Sequence, residues 1–293
     1  MAEPVTATPF IIREENTSQA PADLVIERRR LTVFERLWSI GALRKALILI
    51  AIALFWEGYA RWADNELLFP TFTATLQAMA EGISNGKLLT ATWGSLKLLL
   101  VGYFGGIILA ALMSVAAIST KIGNDILETM TAMFNPLPAI ALLPLALLWF
   151  GLGMGSIIFV LIHSVLWPVA LNTHSGFTAV SPTLRMVGRN YGLRGLPLVF
   201  KVMIPAAFPS ILAGLKIGWA FAWRTLIAAE LVFGATAGGG GLGWYVFENK
   251  NILEIPSVFA GLLSVIIVGL VIDNFVFRVI ERRTIARWGM SHG

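Results

Sequence analysis

Apolar residues in this chain gather into runs of roughly twenty, separated by shorter polar segments. A helix of that length crosses about 30 Å of hydrocarbon. The pattern predicts six spans: Leu43–Tyr59, Ser95–Ile118, Ala132–Phe150, Ser156–Leu171, Ile211–Phe233 and Val258–Phe277. The third contains Pro136, Pro138 and Pro144, so it is expected to kink or begin late; the fourth holds Pro168. Only the short turn Gly151–Gly155 joins these two, which predicts antiparallel neighbours. A helical stretch from Thr73 to Ile83 is expected between the first two spans. Before the first span, Leu31, Phe34, Leu37 and Trp38 recur at helical spacing. That segment reads equally as a helix lying in the membrane interface or as one packed on its own protein.

Composition supports the membrane reading and removes others. The chain has 293 residues, 57% hydrophobic and 13% charged, with a mean hydropathy of +0.77. Soluble globular chains carry about 25% charge. A disordered protein, a nucleic-acid-binding domain and an ordinary cytosolic enzyme are therefore excluded. Cysteine is absent, so no disulfide, thiolate nucleophile or Cys-based metal site exists. Three scattered histidines give no metal-ligand spacing. The net charge of +5 distributes unevenly. With both termini inside, the inner segments collect sixteen Lys and Arg residues, and the outer segments hold only Arg61, Lys87 and Lys250. The positive-inside rule then places both termini in the cytoplasm and accounts for the basic balance without nucleic acid. The expected organisation is a cytoplasmic tail and interfacial helix over 1–42, a transmembrane domain over 43–278 and a cytoplasmic tail over 279–293. No secretory signal peptide is expected at the start.

The longest internal polar interruption is the inner loop Asn172–Ser210. Ser181-Pro182 is a good helix start, with proline at the first helical position. Gly192 suits the left-handed residue that ends a helix. Leu193–Met203 reads as a second short helix, stopped by Pro205 and Pro209. Leu184, Val187 and Tyr191 form an apolar stripe, with Arg185, Arg189 and Arg194 around it. Such a finger below the membrane suits docking in a cleft of another protein; a re-entry loop with no partner is the plainer alternative.

Gly192, apolar Val202 and Ile204-Pro205 in this spacing resemble the Glu-Ala-Ala loop of ABC-importer permeases. Other fragments carry the resemblance from the first span to the last: Leu143–Gly151, Trp167-Pro168 followed by Asn172-Thr173, Tyr191-Gly192-Leu193, Pro205–Ile211, Gly214–Gly218 and Ala228-Ala229-Glu230. The chain is most similar to the branch that handles nitrate, sulfonates, taurine and bicarbonate. The resemblance implies an all-α membrane protein of six transmembrane helices in the type I ABC-importer permease fold. It also implies a homodimer, two copies of a separate ATPase subunit that hold the ATP and Mg, and a periplasmic or lipid-anchored solute-binding protein. No cofactor is implied in this chain. The coupling loop then comprises Arg185, Met186, Val187, Gly188, Arg189, Tyr191, Gly192, Arg194 and Pro205. The family's Glu falls on Met186 and its two alanines on Val187 and Gly188, so the arginines are expected to share the docking.

An ATPase needs a glycine-rich loop followed by Lys and Ser or Thr. The one glycine run, Gly238–Gly241 with Gly243, is followed by Trp244 and lies on the outer side, where a flexible loop able to contact a delivery protein is expected. Ionisable residues at membrane depth are functional candidates by default. Arg224, near the middle of the fifth span, would offset the desolvation of a small anion; pairing with Asp273 or Glu230 is the alternative. Glu230 shares a helix face with Trp223, not with Arg224, and reads as a gate or packing anchor. His163 is either a proton relay or a histidine bonded to a backbone carbonyl. These four, Arg224, Trp223, Glu230 and His163, are the candidate pathway residues. Lys216 is expected to reach the cytoplasmic interface, and Glu57 with Arg61 to form a local ion pair. Gly102, Gly106, Gly214 and Gly218 read as helix-packing sites. The competing class is a secondary transporter driven by an ion gradient, which would lack the docking loop and show inverted repeats.

Overall fold

The computed structural model describes residues 40–233 and 240–284. The proposed interfacial helix Leu31–Trp38, Gly238 and Gly239 lie outside the described residues. The chain divides into two units, Met1–Ile52 and Ala53–Gly293, with the boundary inside helix α1 (Gly41–Ala63). Of the first unit only Ile40 and the start of α1 are described. All the described elements of the second unit are helical.

After α1 come α2 (Phe72–Ser84), α3 (Lys87–Ser119) and α4 (Lys121–Phe134). A 3-10 turn, Ala139–Leu142, leads into α5 (Leu143–Phe150), followed by α6 (Met154–Thr178) and α7 (Pro182–Asn190). A helical lead-in, Leu196–Leu198 then the π-turn Val199–Met203, runs directly into α8 (Ile204–Phe233). Helices α9 (Leu242–Asn251), α10 (Ile255–Val271), a π-turn (Ile272–Phe277) and α11 (Arg278–Arg283) complete the described chain.

Among the described residues, five helices are long and apolar enough to cross a membrane: Gly41–Ala63, Lys87–Ser119, Met154–Thr178, Val199–Val232 and Ile255–Arg283. A sixth crossing exists only if Lys121–Phe134 and Ala139–Phe150, bent by 89° at their break, act as one span. The kink expected in the third span Ala132–Phe150 is found, but it is a right-angle break, and the helix before it starts at Lys121 instead of Ala132. Pro136 and Pro138 supply no N–H to a helical ladder, so α4 ends at Phe134 with Asn135 still at helical angles (φ −64°, ψ −36°), and Pro138 itself is extended (φ −60°, ψ 119°). Pro144 sits in the first turn of α5, where the missing donor costs nothing.

Helix α6 is the axis of the core. Of its most apolar stretch, 61% is buried, against 17% for the last span. Gly102 and Gly106 of α3 press on Leu161 and Val165, and a Cβ at Gly106 would lie 2.6 Å from Val165 Cβ. On the other side, Gly214 and Gly218 of α8 lie against Asn172 and Val169. All four glycines thus serve the close packing their spacing predicts, and they serve it against one shared helix. Outward residues such as Phe55, Leu112 and Leu148 remain exposed, as suits a surface that faces lipid.

Two expectations about the inner loop change. Helical structure enters it from both sides, so the non-helical connection shrinks to the segments around α7. Pro205 and Pro209 do not stop a helix; they lie in the first turns of α8. The π-turn Val199–Met203 immediately upstream re-registers the backbone, so carbonyls that lack a proline N–H partner need not end the helix.

Candidate functional site

A cavity of about 430 Å³ opens where the α4–α5 break meets α6 and α8. Its walls include Asn135, Pro136 and Pro138 from the break, His163 and Trp167 from α6, and Arg224 from α8. The helix break makes the space: Phe134 ends α4, and the chain turns away before α5 begins. Two of the four candidate pathway residues, Arg224 and His163, meet here.

Arg224 is exposed at this wall. Its guanidinium lies 5.7 Å from the Phe221 ring centre, a cation–π contact. The described ion pairs, Glu57–Arg61 and Lys216–Glu281, leave it out, so pairing with Asp273 or Glu230 is not the arrangement found. For His163, the alternative of a ring bonded to a backbone carbonyl is not the arrangement found. Neither ring nitrogen has a hydrogen-bond partner among the described residues, and both are buried. The Trp167 indole nitrogen is in the same state. A buried donor without an acceptor costs about 1–3 kcal/mol, and these nitrogens are buried behind the cavity surface. Thr131 Oγ1 and Trp219 Nε1 also lack partners, but neither residue lines this cavity. The rings are held firmly: Phe134 stacks on Trp167 with centroids 5.3 Å apart and planes 12° apart, and His163 stands edge-on to both.

The other two candidates lie elsewhere. Trp223 is buried against α10, its indole donating to Val265 O at 3.3 Å. Glu230 is 2% exposed and fully engaged. Its Oε2 accepts from Gly243 N at 2.8 Å, and Ser95 Oγ lies 2.8 Å from each carboxylate oxygen. Ser95 Oγ in turn accepts from Leu242 N at 2.8 Å. The pair thus satisfies the first two N–H groups of α9, whose own N-cap is glycine and offers no side chain. Gly241 abuts the carboxylate, and a Cβ at Gly243 would lie 2.6 Å from Glu230 Cβ. Gly241 and Gly243 are therefore packed closely against Glu230. Trp223 and Glu230 do share a face, as their spacing implies, and it is the packed one.

On the inner side, Ser181 Oγ accepts from Leu184 N at 3.2 Å to start α7. Gly192 ends it at φ +77°, with Gly192 N donating to Arg189 O and Leu193 N to Gly188 O, the two bonds of a Schellman motif. Gly188 is buried, and a Cβ there would lie 2.6 Å from Leu198 Cδ1, so it packs α7 onto the lead-in to α8. Arg185 is committed to the Phe177 carbonyl at 2.7 Å and so caps α6. Arg189 and Arg194 are exposed, as are Leu184, Met186, Val187 and Tyr191, the last at 83%. Pro205 is half-buried in α8 and not part of this face. Lining residues Phe134, Trp167 and Thr225 were not singled out from the sequence as site residues; the proline pair at 136 and 138 was the available signal for an opened helix.

The described residues thus combine long apolar helices, a bent helix pair with a cavity at the bend, and an exposed helical finger. The chain belongs to the family described as binding-protein-dependent transport system inner membrane component, whose profile matches residues 102–285. It is 30% identical over 236 residues to a candidate ABC transporter permease of Methanocaldococcus jannaschii, covering 79% of this chain and 87% of that one. A nitrate import permease of Synechocystis is 27% identical over 256 residues, covering 85% and 92%. A taurine transport system permease of Escherichia coli is 28% identical over 230 residues, covering 75% and 82%. The chain is thus an inner-membrane, multi-pass transport subunit and not an enzyme, and membership implies ATPase and binding-protein partners.

Proposed function

We propose that this chain is the membrane-spanning subunit of an ABC importer that takes up a small anionic solute of the nitrate, sulfonate, taurine or bicarbonate kind. It crosses the membrane six times, with the bent pair α4–α5 as the third crossing and both termini in the cytoplasm. It works as a homodimer with two ATPase chains, which hold the ATP and Mg. The exposed face of α7 and the turn that follows it, with Leu184, Val187, Arg189, Tyr191 and Arg194, docks on the ATPase. Closure of the ATPase pair draws these helices together and turns the pathway outward to receive solute from the binding protein.

The observation that carries the anionic substrate is Arg224. A permanent cation on a cavity wall at membrane depth, with no carboxylate bridged to it among the described residues, is costly unless the cargo supplies the negative charge. The names of the nitrate and taurine relatives point the same way. The test is ATP-dependent uptake of labelled nitrate and taurine into vesicles holding the permease with its ATPase and binding protein. Arg224→Ala should assemble normally and lose uptake; wild-type uptake in that variant would overturn the role.

A further inference from the structure

We infer that two adjoining cavities, formed by α3, α4, α6 and the lead-in to α8, hold one membrane phospholipid with an ethanolamine headgroup. Its tail lies along α3 and its head beside Lys121 and Asp125. The inference stands on α3 crossing the membrane and is independent of the substrate reading above. The first cavity, about 730 Å³, is walled by Ile107, Val115 and Ile118 of α3, Val169 of α6, and Phe200 and Met203 of the lead-in. It is open at Val115 and Phe200, each 63% exposed. Its volume falls within the roughly 300–1,000 Å³ of sites that enclose organic ligands. The second cavity, about 480 Å³, is polar and lined by Lys121, Asp125, His174 and Arg185. Ile118, Ser119 and Phe177 line both, so the two meet there.

Length and polarity identify the occupant. Along α3 the apolar cavity runs from Ile107 to Ser119, about 18 Å of helix. One leaflet is about half of the 30 Å hydrocarbon core, so the groove matches the depth of a single lipid tail. The polar cavity lies at the correct end of it. Helix α3 ends at Ser119, and the polar first turn of α4 begins at Lys121. On the orientation proposed above, this is the inner leaflet. An apolar groove holds little water, and an acyl chain is stabilised by burial there. The head is specified by charge. Lys121 and Asp125 stand one turn apart on α4, and both are exposed. That spacing ordinarily pairs opposite charges, yet the ion pairs among the described residues are Glu57–Arg61 and Lys216–Glu281. Asn124 turns away to Glu128 at 2.9 Å, and Arg185 is held at Phe177 O. A headgroup that carries both signs answers both open charges: its phosphate accepts from Lys121, and its ammonium donates to Asp125. A choline head has no N–H to give Asp125, and a glycerol head would set a net negative charge beside that carboxylate.

The test titrates the purified full-length chain in detergent with phosphatidylethanolamine, phosphatidylcholine and phosphatidylglycerol of identical tails. Native mass spectrometry counts the lipid bound. One phosphatidylethanolamine should bind per chain, about tenfold more tightly than either of the others. Asp125→Asn should abolish the preference over phosphatidylcholine. Lys121→Gln should weaken all three about tenfold. Val115→Trp should fill the groove and block tight binding of every lipid. The three replaced side chains are exposed, so unfolding before lipid is added should match wild type. Equal affinity for the three lipids, a preference that survives Asp125→Asn, or unchanged binding in Lys121→Gln or Val115→Trp would overturn the proposal. Val115→Cys, the sole thiol in a chain without cysteine, reads out a protein occupant. It should stay unlinked in oxidised membranes; a disulfide-linked dimer would put a second copy over the groove and overturn the lipid site.

Discussion

Helix α8 carries two charged residues in its outer half, Arg224 and Glu230, and the fold treats them in opposite ways. Glu230 is buried, and its carboxylate is answered by Ser95 and by the Gly243 N–H, each at 2.8 Å. Among the described residues, Arg224 meets the face of Phe221 and the open cavity and no carboxylate. Burying a charge is tolerated when its hydrogen bonds are met, so Glu230 holds α3, α8 and the start of α9 together. An unanswered charge in the same helix contributes nothing to packing. The difference separates a charge that belongs to the architecture from one held ready for cargo. Glu230→Ala breaks the comparison at its stronger end. It strands the Ser95 hydroxyl and the Gly243 N–H, and should destabilise the protein by about 3 kcal/mol. Thermal unfolding in detergent checks this. Combined with Ser95→Ala, the loss should fall short of the sum of the two single losses, by about 1–3 kcal/mol.

Arg224→Ala should do the reverse. Unfolding should shift by less than about 0.5 kcal/mol, since an exposed side chain away from packing is being trimmed. Uptake should fall at least about tenfold, equivalent to one lost charge-assisted contact. A variant that unfolds early but transports normally would erase the contrast between the two residues.

Much of this was legible in the sequence, and what was not has a common cause. Spans, packing glycines, the α7 start at Ser181 and its end at Gly192 all depend on local spacing or on one residue's backbone preference. The Glu57–Arg61 pair, at 2.7 Å, is likewise local. The clamp on Glu230 is not, because Ser95 lies 135 residues away. Nor is the cavity, whose walls come from three separated segments. The inner-loop prolines misled for a subtler reason. Pro205 and Pro209 are stop signals by propensity, but a π-turn just upstream lets the helix continue through them. The right-angle break after Phe134 was half-visible: the prolines were noted as a kink, while the share of α4 in the same crossing was not.

The finger at α7 extends the comparison to the inner side, where Gly188 is packed and Gly192 is free. No atom lies within 4 Å of a Cβ built on Gly192, yet its φ of +77° strains any β-branched residue. Gly192→Val should therefore cost about 1–2 kcal/mol locally by disturbing the Schellman end of α7. The protein should remain in the membrane while ATP hydrolysis by the complex uncouples from uptake. Wild-type transport in that variant would count against α7 as the coupling element. Gly188→Leu, which drives a side chain into Leu198 and Val202, should instead lower stability, so the two glycines separate docking from packing.

The smallest effect is expected where a charge is answered but wet. Lys216 Nζ lies 2.7 Å from Glu281 Oε2, as short a contact as any at Glu230, but the two side chains are 34% and 48% exposed. Water already solvates both ends, and exposed pairs contribute about 0–1 kcal/mol. Lys216→Met should thus shift unfolding by less than about 0.5 kcal/mol and leave uptake unchanged. If it destabilised the protein as much as Glu230→Ala, short distance alone would decide which charges hold this fold, and burial would not. A near-silent Lys216→Met beside a damaging Glu230→Ala leaves burial with complete hydrogen bonding as the property that makes a membrane-depth charge structural. Arg224, which lacks both, is then distinguished by its cavity alone.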